Sequence, residues 1–310
     1  MKILIVETSP IAANKMVTVH IRNAIIVCDH LKSQGHDCRL ISSRQEVMDV
    51  HEQFDIIMFV AASFYFEYQI FEQLIDNQKK CKIGWLTNEF ELFCNDFLKG
   101  RIDFMIANFE EWGVKKAHAH DYFLMTNLNT LQARRRNTLC EKKYGACYYG
   151  TYRKYREKYF KKYLVKDMIL STSPKNIKKF QLLGCDCYVA DRFYWNDNSE
   201  TMNLFRASLY IEDSKTHKLF NYMANRFFEA LFCNCAVFFD KTCEGTIKKD
   251  IYYIDDYFIV NSYDELMEKS NNIDASKLST FLETNTKTAL AEKSKTLQAI
   301  ESFLSEMTVV

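Results

Sequence analysis

The sequence predicts an α/β protein made of two doubly wound domains that face each other across a cleft. Three observations lead there. At 310 residues the chain exceeds the size at which one hydrophobic core usually stops growing. Short apolar runs alternate with helix-period segments, the pattern of βαβ units and a mostly parallel sheet. That alternation stalls once, over the polar, basic stretch 127–140 (NLNTLQARRRNTLC), and then resumes.

The first half opens on Lys2-Ile3-Leu4-Ile5-Val6, a run suited to a strand buried on both faces. From about Asn14 to Lys32, Val17, Ile21, Ala24, Ile25, Cys28 and Leu31 recur at helical spacing, and Gly35 ends that helix. Strands are expected at 38–41, 55–60, 81–86, 104–107 and 122–125, with a helix at 64–78. In the second half, strands are expected at 146–149, 166–170, 186–190, 207–211 and 236–239. Helices are expected at 152–164, 174–182, 217–233, near 263–270, and from 276 to 306. The domains are read as 1–135 and 136–285, with 286–310 as a helix crossing back to the first. Only eight Gly and two Pro leave little room for flexible linkers.

Composition narrows the classes. The hydrophobic fraction is 48% and the charged fraction 26%, ordinary for a globular protein. The start MKILIVETSP is too short in its apolar run for a secretory signal, and no window reaches membrane-spanning length, so a cytoplasmic protein without membrane contact is expected. Eleven cysteines then read as free thiols in a reducing compartment, small apolar core residues without zinc-like spacing. Net charge is +1, yet from Arg134 to Lys179 there are 15 Lys/Arg against Glu141, Glu157 and Asp167. A local basic region of this kind serves an anionic ligand without a high overall pI.

Open parallel sheets bind ligands beyond the carboxyl ends of their strands, so residues just after strands become site candidates. In the second half these begin with Tyr148-Tyr149-Gly150-Thr151-Tyr152-Arg153-Lys154-Tyr155-Arg156. A strand, a glycine and a helix start can turn backbone N–H groups toward an anion, and Arg153 adds a phosphate contact. Ser171-Thr172-Ser173 is a hydroxyl cluster or a helix cap before Pro174. In Asn225-Arg226-Phe227-Phe228-Glu229-Ala230-Leu231, the residues Phe227, Ala230 and Leu231 share a buried face. Arg226 and Glu229 stand three apart on another, as a surface ion pair or as ligands for a diphosphate and a ribose. Lys158, Lys161 and Lys162 read as a solvated face, or as contacts to acceptor phosphates. Before residue 90 the post-strand candidates are Glu7-Thr8-Ser9 and Thr87-Asn88-Glu89. His20 is a weaker base candidate, His118 and His120 fall on a loop, and Asp255-Asp256 reads as a turn.

The segment 225–231, with Ala230-Leu231-Phe232-Cys233-Asn234-Cys235-Ala236-Val237 after it, resembles the donor-binding helix of GT-B glycosyltransferases, built of two Rossmann-like domains. In that family the helix is followed by ALACGTPV-like residues and a second Glu; here the Gly and Pro are absent and Val237 holds the second position. Tyr148 to Arg156 resembles the YYGxYRxxR stretch of glycosyltransferases from large DNA phages, and Asn88-Glu89 resembles their NEY stretch. The resemblance implies a nucleotide-sugar donor, UDP-glucose or UDP-arabinose, held by Gly150, Arg153, Ser171, Arg226 and Glu229. It implies Glu89 as the base that takes the acceptor proton, and double-stranded DNA carrying 5-hydroxymethylcytosine as acceptor, met by Ser9, Asn88, Arg134, Arg135 and Arg136. No cofactor is required; a divalent metal is compatible but not indicated. A carbohydrate acceptor, or a non-catalytic nucleotide- or DNA-binding module, fits the same fold.

Overall fold

A computed structural model describes residues 1–7, 11–12, 15–16, 19–60, 81–86, 104–107, 117–119, 142–190, 202–212, 223–243, 247 and 251–308. The chain forms two compact units, Met1–Asn129 with Ala291–Val310, and Thr130–Leu290.

The first unit holds a six-stranded parallel sheet: β1 (Lys2–Val6), β4 (Asp37–Ile41), β5 (Ile56–Val60), β6 (Lys82–Leu86), β7 (Phe104–Ala107) and β8 (Ala117–Ala119), in the order β4-β1-β5-β6-β7-β8. β5 is buried at every position, as a central strand covered on both faces must be. Helix α1 (Val19–Ser33) buries Ala24, Val27, Cys28 and Leu31 in the same core as Ile3 and Ile5. It starts later than its periodicity suggests, because β2 (Ile11–Ala12) and β3 (Lys15–Met16) form a small antiparallel pair ahead of it. Helix α2 (Arg44–Val50) was not legible in advance. His118 lies in β8, paired with Ile106, and not on a loop as expected. With only three residues at a sheet edge, that strand carries too little apolar signal to be read. The expected helix 64–78 and strand 122–125 lie outside the described residues.

The second unit repeats the plan with strands β9 (Tyr144–Tyr149), β10 (Val165–Ser171), β11 (Asp186–Ala190), β12 (Phe205–Tyr210), β13 (Ala236–Asp240) and β14 (Ile259–Val260). They are all parallel, in the order β11-β10-β9-β12-β13-β14. Helices α3 (Glu157–Tyr163) and α4 (Pro174–Leu182) connect β9 to β10 and β10 to β11. Helix α5 (Asn225–Phe232) leads into β13. The sheet runs outward in both directions from β9 and β12, and right-handed crossovers therefore place α3 and α4 on one face and α5 on the other. Rings fill both layers: Phe160 and Phe180 lie 4.9 Å apart between α3 and α4, and Phe227 and Tyr252 4.9 Å apart beneath α5. Burying a side chain as large as Phe227 contributes about 2 to 3 kcal/mol.

Two boundaries differ from expectation for local reasons. The basic helix predicted over 152–164 begins as a 3-10 turn at Lys154–Arg156, because Thr151–Arg153 stays irregular after Gly150. The helix predicted from 217 starts at Asn225, since Ala224 is extended and its N–H donates to the Tyr210 hydroxyl at 2.8 Å; residues 213–222 lie outside the described set. Helix α6 (Tyr263–Asn271) follows β14, and the 34-residue α7 (Ala275–Thr308) closes the chain. Leu278 and Phe281 of α7 belong to the second unit's core, and Ile300 and Phe303 to the first unit's core.

Candidate functional site

In a doubly wound sheet the strand order reverses at one point, and two crossovers leaving in opposite directions open a crevice there beyond the carboxyl ends. In the second unit that point lies between β9 and β12. Gly150 follows β9, and Glu212 follows β12 by two residues.

Gly150 has φ +153°, a conformation that side chains disfavour. Its N–H donates to the Ser171 carbonyl at 3.1 Å and its carbonyl accepts from Thr172 Oγ1 at 2.7 Å. A Cβ here would stand 3.2 Å from Tyr148 Oη and 3.8 Å from Arg226 Nη1. Ser171, a predicted site residue, thus ends β10 buried and braces this turn through its backbone. Ser173 is the residue at the start of α4, and its hydroxyl accepts from Asn176 Nδ2 at 2.8 Å.

Glu212 is 2% exposed and holds two guanidiniums. Arg156 Nη2 donates to both of its oxygens, at 2.7 and 2.6 Å, and Arg226 Nη2 donates to Oε2 at 2.8 Å. The Tyr148 hydroxyl accepts from Arg226 Nη1 at 3.3 Å and from Arg156 Nη1 at 3.4 Å. Arg226 therefore pairs with Glu212 on a neighbouring loop. Two guanidiniums against one carboxylate leave a local excess of positive charge, and the exposed Arg153 adds to it. The Tyr155 phenol registers the whole group: burial, and after it Glu212, push it up, while Arg156, Arg226 and Arg153 pull against them.

Tyr149 ties this cluster to the first turn of α5. Its hydroxyl donates to the Arg226 carbonyl at 2.7 Å. Burial first, and the adjacent Glu229 carboxylate second, hold that phenol well above its usual range. Gly150, Arg226 and Glu229 are thereby brought together at one edge of the sheet. At the end of α5, Asn234 takes φ +53°. It supplies the left-handed helix stop that glycine usually provides, which accounts for a glycine-free sequence at this point.

Arg156 and Glu212 are the residues that sequence reasoning missed as a pair. The same rule that singled out residues after strands pointed at Glu212, directly after the apolar run 207–211. Farther along the edge, Asp240 is fully buried at the end of β13. Burial works against its charged form, but hydrogen bonds from Lys162, Thr242 and Tyr163 outweigh it and hold the carboxyl below its usual range. Both buried carboxylates at this edge are thus saturated by cations and hydroxyls, and among the described residues no three His, Cys, Asp or Glu side chains are placed to hold a metal ion.

In the first unit, Glu7 follows β1 at its switch point with β5 and is fully buried; Arg22 and Asn23 of α1 are buried as well. Ser9, Asn88, Glu89, Arg134, Arg135 and Arg136 lie outside the described residues, as do His20's side chain and His120. The nine described cysteines are free, seven of them buried, with Cys185 and Cys187 partly exposed. Asp255 caps the 3-10 turn Asp256–Phe258, accepting from Tyr257 N at 2.7 Å. Among the described residues no helix is long and apolar enough to cross a membrane.

These two sheets and their order define the GT-B fold, and solved structures share it along the whole chain. T4 phage β-glucosyltransferase in complex with UDP and Mn2+ superposes with a TM-score of 0.68 at 17% identity, covering 97% of this chain and 99% of that one. An α-glucosyltransferase in complex with UDP and a 13-mer DNA containing a central A:G mismatch gives 0.60 at 11% identity, covering 93% and 94%. Anabaena HepE in complex with UDP-glucose gives 0.59 at 11% identity, covering 99% and 100%. No family model matches the sequence, and no curated protein does.

Proposed function

We propose that this protein is a glycosyltransferase that moves a sugar from a UDP-sugar to the hydroxymethyl group of a modified base, 5-hydroxymethylcytosine, in duplex DNA. The observation that carries the reading is the convergence of Arg226, Glu229 and Gly150 at the switch point of the second sheet. The whole-chain likeness to proteins solved with UDP, one of them also with DNA, supports it.

In this reading Arg226 and Arg153 receive the diphosphate, with Arg156 behind them. Glu212 holds the buried Arg156 and the partly exposed Arg226 in place before the ligand arrives, so that no reorganisation is needed as charge develops on the leaving group. The Gly150 turn leaves room for a phosphate oxygen where a side chain would crowd Tyr148. The Glu229 carboxylate accepts from two ribose hydroxyls. Transfer then forms one bond, from the acceptor hydroxyl oxygen to the anomeric carbon, and breaks another, from that carbon to the β-phosphate oxygen. Glu89 takes the acceptor proton and UDP leaves with the bonding electrons. The target base is turned out of the stack to reach the site, with Ser9, Asn88 and Arg134 to Arg136 meeting the DNA. Positive charge at the diphosphate comes from guanidiniums in this arrangement, and the described residues offer no ligand set of their own for the Mn2+ seen in the T4 enzyme.

The test is nucleoside mass spectrometry of duplex DNA containing 5-hydroxymethylcytosine after incubation with enzyme and UDP-glucose or UDP-arabinose. A mass gain of one hexose or pentose on that nucleoside supports the reading. Transfer to an oligosaccharide and none to DNA would assign a glycan acceptor, and UDP-sugar binding with no transfer to either would leave a binding module.

A further inference from the structure

We infer that the outer surface of α3 and α4 is a docking face for the phosphate backbone of duplex DNA, separate from the donor site; the identity of this partner rests on the function proposed above. Between residues 150 and 183 the chain carries ten Lys/Arg and two acids, Glu157 and Asp167, in a protein whose total charge is +1. The imbalance is concentrated on two helices that lie side by side. Crossover handedness puts α3 and α4 on the same face of the sheet, and contacts agree: Phe160 of α3 and Phe180 of α4 are 4.9 Å apart, with Tyr152 packed on Phe180 at 5.3 Å. Lys179 Nζ sits 5.7 Å from the Tyr152 ring centroid.

The lysines line up on the solvent side. Lys154, Lys158 and Lys161 are exposed at spacings of four and three, and Lys175, Lys178 and Lys179 are exposed along α4. Residues three and four apart share one helix face, so each helix presents a stripe. Glu157, the one acid within the first stripe, accepts from the Tyr152 hydroxyl and leaves three lysines to one carboxylate there. Among the described residues no carboxylate pairs with Lys154, Lys161, Lys175 or Lys178. Some lysines elsewhere are paired, as in Lys269–Glu265 at 2.7 Å and Lys295–Glu292 at 2.6 Å. A face on which lysines outnumber acids repels itself, and a polyanion relieves that repulsion.

Position favours DNA over another polyanion. Both helices follow strands, so Lys154, in the 3-10 turn ahead of α3, and Lys175, in the first turn of α4, lie toward the carboxyl edge that also carries Gly150 and Arg226. Backbone contacts of this kind fix register and orientation and carry no base specificity.

The experiment compares the full-length protein with the quadruple variant Lys154→Gln/Lys161→Gln/Lys175→Gln/Lys178→Gln in duplex-DNA binding across a salt series. Each lost phosphate contact removes about 0.9 from the slope of log affinity against log salt. The variant is expected to lose up to about 3.6 of that slope and roughly tenfold or more in affinity at low salt, while its donor KM stays at the wild-type value. Lys→Arg at the same four positions is expected to keep the wild-type slope. An unchanged slope in the Gln variant overturns the inference. So does a variant that loses binding only to phosphatidylserine vesicles, which would make the face a membrane contact. If the wild-type slope falls as described in the variant but no sugar reaches hydroxymethylated DNA, the docking face stands and the proposed reaction fails.

Discussion

Glu212 Oε2 lies 2.8 Å from Arg226 Nη2, joining a loop after β12 to the first turn of α5. The same carboxylate holds Arg156 at 2.6 Å, so three side chains far apart in sequence form one charged unit around a buried carboxylate. Removing one partner of such a unit leaves uncompensated charge in a site with little water. Glu212→Ala is expected to lower stability by about 3 to 5 kcal/mol, read as a fall in the urea midpoint. A loss below 1 kcal/mol would mean that the two guanidiniums reach solvent without it.

Gly150→Ala tests the turn. The substitution imposes a side chain at φ +153° and places a Cβ 3.2 Å from Tyr148 Oη. The expected cost is about 1 to 3 kcal/mol of stability, together with weaker donor binding, because the Tyr148 hydroxyl must give way and it accepts from Arg226 Nη1. A variant with wild-type melting temperature and donor KM would show that the tight turn has no part in the site.

Lys293 on α7 offers a pH signature. It is 6% exposed, no carboxylate among the described residues pairs with it, and burial pushes its pKa down to about 8 from 10.5. Below pH 8 the folded protein keeps an ammonium in an unfavourable place. Between pH 8 and 10.5 the unfolded chain binds more protons than the folded one, so this group makes stability rise with pH there. Lys293→Met is expected to stabilise the protein by roughly 1 to 3 kcal/mol at pH 7, with the gain shrinking toward pH 10.5. A gain that is the same at pH 7 and pH 10.5 would contradict this.

Much of the fold was legible because it rests on long apolar runs. β1, β5 and β13 announce themselves as buried parallel strands, and residues 225–231 as an amphipathic helix. What escaped detection was set by short or tertiary signals. β8 has three residues, and the start of α5 is fixed by a hydroxyl on Tyr210, fourteen positions away. The site shows the same division. Gly150, Arg226 and Glu229 could be named from local pattern and resemblance, whereas the link from Arg226 to Glu212 and on to Arg156 depends on strand order. Nothing in the spacing of those residues encodes it. Asn234 was readable only as a missing glycine, until its positive φ explained the exchange.

The central claim is that a nucleotide sugar is gripped at this edge of the second sheet, and calorimetric titration with UDP tests it most directly. Arg153 is exposed and Glu229 partly so, which lets both be changed without dismantling the charged unit. The wild type is expected to bind UDP, and Arg153→Ala and Glu229→Ala each to weaken that binding by roughly 10- to 100-fold, the loss of a charge-assisted contact. Undiminished UDP affinity in both variants, or no heat of binding in the wild type, would contradict the account.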